Sequence, residues 1–157
     1  MATIVNQNRP QTTTPPNVGP KKNTTQTISL IVGALLFVLG AAGLLFPAFG
    51  GLHLSIVHSL IIVAAGATLF WNGYRRNHPR SAYLTCLCFG IFFAVHALAG
   101  FILGQPGVPA VGYAQYDSSV LRVIPNFSEL ATIDHILNSV LAVVLLAGAY
   151  DWKRKHS

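Results

Sequence analysis

The sequence predicts an all-α integral membrane four-helix bundle, and three observations predict it. Of its 157 residues, 52% are hydrophobic and only 9% are charged, whereas a soluble domain carries about 25% charged residues. Four apolar runs are each long enough to cross about 30 Å of hydrocarbon, a span that takes roughly 20 residues of helix. The basic residues flank those runs instead of forming one face, so a net charge of +6 does not point to nucleic acid.

The runs are Thr27–Phe46, His53–Gly73, Ala82–Gly104 and Ala131–Tyr150. The first three hold no Asp, Glu, Lys or Arg, and the fourth holds only Asp134. Hydrocarbon offers no hydrogen-bond partner, so such runs must be helices or a closed barrel. Continuous apolarity without period-2 alternation selects helices. The first run exceeds the about 7–15 residues of a signal-peptide core, and no Ala-x-Ala site follows it. It is therefore expected to remain as a membrane helix.

Charge sets the expected topology. Lys21 and Lys22 precede the first run, Arg75, Arg76 and Arg80 fill the second loop, and Lys153, Arg154 and Lys155 follow the fourth run. The segment Pro47 to Leu52 carries no charge, and the third loop sets Arg122 against Asp117 and Glu129. Basic flanks stay inside, which predicts a multi-pass cell-membrane protein with both termini cytoplasmic. Trp71, Tyr74, Tyr83, Tyr150 and Trp152 fall near the same inner interface, where aromatic belts form.

Residues 1–26, with Thr12-Thr13-Thr14-Pro15-Pro16, are too polar to bury a core and read as a disordered cytoplasmic tail. Residues 27–150 form the helical domain, and 151–157 read as a basic cytoplasmic tail. The loop from Gln105 to Glu129 carries Pro106, Gly107, Pro109, Gly112 and Pro125, so regular structure should be sparse there. Either it is a mobile connector, or Tyr113, Tyr116 and Asp117 fold over the bundle mouth. Asn126 followed by Glu129 fits a capping pattern that would start the fourth helix near Phe127.

Helices in lipid associate through small residues and interhelical hydrogen bonds. Gly33 and Gly40 lie two turns apart on the first helix. Gly90 with Ala94, and Gly100 with Gly104, give the third helix two small-xxx-small pairs. Ser55, Ser59 and Gly66 mark the second helix, and Ser139, Ala142 and Ala149 the fourth. Dimerisation through a leftover glycine face is the alternative use of these stripes. Cys86 and Cys88 point to different sides of one helix, so they read as packing residues rather than a disulfide or zinc site.

The chemistry-bearing residues are three intramembrane histidines, since ionisable groups inside a membrane default to a functional reading. His58 lies roughly 8 Å and His135 about 6 Å inside the outer ends of their helices, and His96 roughly 12 Å, with His53 at the rim. Asp134, Asn138 and Ser59 are the expected neighbours of this cluster, and Gly100 offers a notch beside Phe89, Phe92 or Phe93. Three readings compete. The histidines are polar glue between helices, ligands of a transition metal or haem, or part of a proton relay. No cofactor is the first expectation, with haem or a transition metal as the rival.

The pattern His53-Leu54-Ser55-Ile56-Val57-His58, followed by Gly66, resembles the second helix of a small bacterial four-helix membrane family of unknown function. Asp134 ahead of a histidine and a Gly/Ala-rich stretch is similar to the fourth-helix motif of that family. The resemblance covers roughly residues 30–150 and implies the same architecture without implying an activity. The family's pattern puts a histidine one turn after the aspartate, where this chain has Asn138.

No nucleophile elbow, phosphate-cradling glycine loop or H-E-x-x-H pair is present, so no enzyme is expected. The leading functional expectation is a structural or accessory subunit whose partners are membrane lipid and another protein or a second copy. A metal- or haem-binding bundle is the alternative. A proton or small-ion conduit ranks last, because Thr68, Asn72 and Thr85 alone continue the polarity inward.

Overall fold

The computed structural model describes residues 23–46, 48–49, 52–53, 56–75, 77–106, 120–124 and 128–156. Four helices, α1 (Thr24–Leu45), α2 (Ile56–Tyr74), α3 (Pro79–Leu103) and α4 (Thr132–His156), form an all-α bundle. Each is long and apolar enough to cross a membrane, which makes the chain a small polytopic membrane protein. Short antiparallel strands join the helices at one end. β1 (Ala48–Phe49) pairs with β2 (Leu52–His53), and β4 (Val120–Ile124) lies between β3 (Gln105–Pro106) and β5 (Ser128–Ala131).

These strands correct two expectations. The third loop is not uniformly irregular, because its described parts form a three-stranded sheet. Nor does α4 start near Phe127: residues 128–131 are extended, with Glu129 in register with Arg122, and the helix begins at Thr132. Strand pairing outcompetes the local cap signal there. Likewise, Leu52 and His53 pair with Phe49 and Ala48, so α2 begins at Ile56 and His53 is not on the helix. Ser55, Tyr113, Tyr116, Asp117 and Asn126 lie outside the described residues.

At the opposite end the helices reach further than their apolar runs. Asn23 Oδ1 accepts from the Gln26 amide at 2.8 Å, and the Asn23 amide donates to Gln26 Oε1 at 3.2 Å. This reciprocal capping box starts α1 at Thr24, so residues 24–26 belong to the helix and not to a tail. Pro79 opens α3, a position that needs no amide donor. α4 continues to His156, which puts Lys153, Arg154 and Lys155 on its last turn, where cations suit the helix dipole. Asp151 pairs with Lys155 at 2.7 Å and with Arg154 at 3.4 Å.

Glycines decide how close the helices come. Gly33 packs on the Phe70 backbone, Gly66 on that of Phe37 and Gly73 on that of Leu30, while a Cβ at Gly40 would sit 2.8 Å from the Val63 amide nitrogen. α1 and α2 thus meet as an antiparallel hairpin, with glycines seven residues apart on each partner. α3 and α4 form a second hairpin in which Gly90 faces the Leu146 side chain and Gly100 faces His135. Between the hairpins Leu36, Leu69, Phe93 and Leu145 fill the middle of the bundle, with Val32, Ile62, Ala65 and Ala142 around them. Val38, Val95, Ile102 and Val143 face outward, as expected of a lipid-facing surface.

The end that carries the basic residues is tied by hydrogen bonds between helices. Thr25 Oγ1 donates to the Gly148 carbonyl at 2.8 Å, Ser29 Oγ to the Leu69 carbonyl at 2.7 Å, and Gln26 Nε2 to the Arg75 carbonyl at 3.0 Å. All three donors are buried. They join α1 to α4 and to α2, and such bonds contribute on average about 0.6 kcal/mol each in lipid.

Candidate functional site at the histidine end

The opposite end gathers His58, His96 and His135 from three different helices. The His58 and His96 ring centroids are 5.7 Å apart, and those of His96 and His135 are 6.0 Å apart. Each pair is roughly parallel, with interplanar angles of 28° and 30°. Phe92 also stacks on His96, at 5.9 Å, and Phe101 lies 5.7 Å from His135. The three residues that the sequence singled out are therefore brought together, with the His96 ring in contact with both of the others.

Local sequence explains the placement. On α3, Phe92 and His96 are four residues apart and so share a face. Gly100 is four residues further along, and with no side chain it leaves room for the His135 imidazole. A Cβ at Gly100 would overlap that ring. The notch expected at Gly100 is thus occupied by this chain's own histidine. Gly33, Gly40 and Gly90 serve packing elsewhere, as their spacing predicted.

His58 and His135 are buried although each lies in the first turn of its helix, nearer the helix end than the apolar runs implied. At this end β2 lies against β5, and both strands lie against α4. Asp134 is also buried, at 3% exposure, together with Ser59 and Asn138. Ser139 Oγ donates to the His135 carbonyl at 2.9 Å. Ser59 Oγ and Asn138 Nδ2 have no hydrogen-bond partner among the described residues. A buried polar atom of this kind is uncommon.

What this arrangement can do chemically is bounded by geometry. Among the described residues, no three His, Cys, Asp or Glu side chains are placed to hold a metal ion. Thr68, Asn72 and Thr85 donate to the carbonyls of Ala64, Thr68 and Ser81, each one turn back on its own helix. Each bonds within its own helix, and the buried Leu36, Phe93 and Leu145 lie between the two polar ends.

Sequence reasoning missed the basic end, where Thr25, Gln26 and Ser29 are buried and bonded between helices. The readable signal was Asn23 with Gln26 three residues later, the capping pattern that extends α1 into the polar stretch. Cys86 is buried and Cys88 is exposed, as their positions on one helix implied. No protein-family model, curated protein or solved structure matches the chain. The likeness of residues 53–58 and of Asp134 to a small bacterial membrane family is therefore carried by those residues alone.

Proposed function

We propose that the protein is a non-catalytic structural or accessory subunit of a cell membrane, with both termini cytoplasmic and its outward apolar faces available to lipid and to a protein partner. The observation that supports this reading is the seat of His135 against Gly100, in ring contact with His96. An imidazole so enclosed joins α3 to α4, and His58 extends the same contact to α2. These histidines then act as interhelical glue. The inside orientation of the termini rests on Arg75, Arg80 and Lys153–Lys155, which all lie at one end of the bundle.

The test is an optical spectrum and elemental analysis of the purified full chain, paired with unfolding of a His96→Ala variant. The reading predicts a colourless, metal-free protein whose variant is less stable. A near-stoichiometric metal or a Soret band that disappears in the variant would overturn it in favour of a metal or haem centre. The observation behind that second reading is the meeting of three imidazoles from three helices at 5.7 and 6.0 Å. A shared metal would need their nitrogens to turn inward to bond lengths of about 2.0–2.1 Å.

A further inference from the structure

The outer surface of the α1–α2 hairpin holds a groove of about 500 Å³, lined by Ala34, Phe37, Val38, Ala67, Phe70 and Trp71. Its lining is apolar throughout. Ala34 and Ala67 are the small residues of the lining, while Phe37, Phe70 and Trp71 supply rings that are all exposed on the outer surface. At 1.5 Å per residue, the α2 positions that line it lie roughly 6–12 Å from Arg75, within the depth of one leaflet.

Arg75 lies one turn beyond Trp71, with its side chain over the Trp71 ring and its backbone tied at the end of α2. Its guanidinium carbon is 5.6 Å from the centre of the Trp71 ring. Its amide donates to the Trp71 carbonyl at 3.1 Å, and its own carbonyl accepts from the buried Gln26 Nε2 at 3.0 Å. Of the acidic residues that the structure describes, Glu129 on β5 and Asp134 on α4 belong to the histidine end, and Asp151 is engaged with Lys155 and Arg154. A positioned cation one turn beyond a purely apolar slot matches a molecule with a negative head and a hydrocarbon tail.

We propose that this is a binding site for an anionic phospholipid, with one acyl chain in the groove and the headgroup phosphate on Arg75. A second copy of the chain would fill the slot with side chains but would leave the guanidinium without an anion. The charge complementarity therefore favours lipid. One juxtamembrane cation near anionic headgroups corresponds to a preference of about fivefold.

The protein's two tryptophans make the test direct. A Trp152→Phe variant of the full chain leaves Trp71, in the groove, as the fluorophore. It is reconstituted into phosphatidylcholine vesicles containing increasing fractions of chain-brominated phosphatidylglycerol or, separately, chain-brominated phosphatidylcholine. Brominated phosphatidylglycerol should quench at about fivefold lower mole fraction. Arg75→Gln should bring the two lipids together, and Ala67→Phe should weaken quenching by both, with helix content by circular dichroism unchanged. Equal quenching by the two lipids before any change at Arg75, or a preference that survives Arg75→Gln, would overturn the proposal. So would a detergent-resistant dimer that Ala67→Phe abolishes.

Discussion

Gly100→Ala is the smallest change that separates a packed histidine row from a loose one. The added Cβ falls inside the His135 ring, and the backbone of α3 cannot move away without disturbing the whole hairpin. His135 must therefore rotate out of the notch. Overpacking of this kind costs about 1–3 kcal/mol. The displaced ring also leaves His96 and Phe101, at 6.0 and 5.7 Å, and each ring pair contributes about 0.5–1.5 kcal/mol. The combined loss is on the order of 2–6 kcal/mol. It would appear in reversible SDS-titration unfolding of the chain in micelles, or as a Tm lowered by roughly 4–24 °C at about 2–4 °C per kcal/mol. The decisive form is a double-mutant cycle with His135→Ala. Removing the ring makes room for the methyl group, so the double variant should be more stable than additivity allows by about 1 kcal/mol or more. A Gly100→Ala protein within about 0.5 kcal/mol of the parent, or strictly additive effects, would refute the seating of His135 in the notch.

Other consequences follow from the same packing. Gly33→Ala should destabilise more than Gly90→Ala by about 1 kcal/mol or more in the same titration. The new methyl meets the Phe70 backbone in the first case and the movable Leu146 side chain in the second. Ser29→Ala removes the 2.7 Å bond to the Leu69 carbonyl and should cost about 0.6–1.7 kcal/mol; no measurable loss would count against the hydrogen-bonded basic end. A small apolar thiol reagent should label one cysteine, Cys88, in mild detergent and both after SDS denaturation, because Cys86 is fully buried. Labelling of Cys86 in the folded protein, read by peptide mass, would contradict the core.

Much of the bundle was legible because lipid makes length and apolarity nearly sufficient: four runs gave four helices. Boundaries were less legible where polar residues carry structure. Thr25 and Gln26 look like tail by composition, yet Thr25 reaches the Gly148 carbonyl of α4, and Gln26 both caps α1 and reaches the Arg75 carbonyl. The same capping logic that holds at Asn23 fails at Asn126, since β5 takes residues 128–131 into a sheet whose partner, β4, is several residues away in sequence. A local signal cannot weigh a pairing made elsewhere. The histidines were legible as a cluster because three helices put them at similar depth. Their burial so near the helix ends was not, because it depends on which residues of other helices pack around each ring. The identity of the Gly100 occupant was equally hidden, since no pattern within α3 names the residue of α4 that reaches it.

The central claim is that His58, His96 and His135 form a contiguous row joining α2, α3 and α4. The most direct measurement is a nuclear Overhauser spectrum of the full chain in micelles with isotope-labelled histidine, assigned by single His→Gln variants. The account predicts ring-to-ring cross-peaks between His58 and His96 and between His96 and His135. Loss of the His96 ring should remove both. Three isolated imidazole signals without mutual cross-peaks would contradict the row and the function built on it.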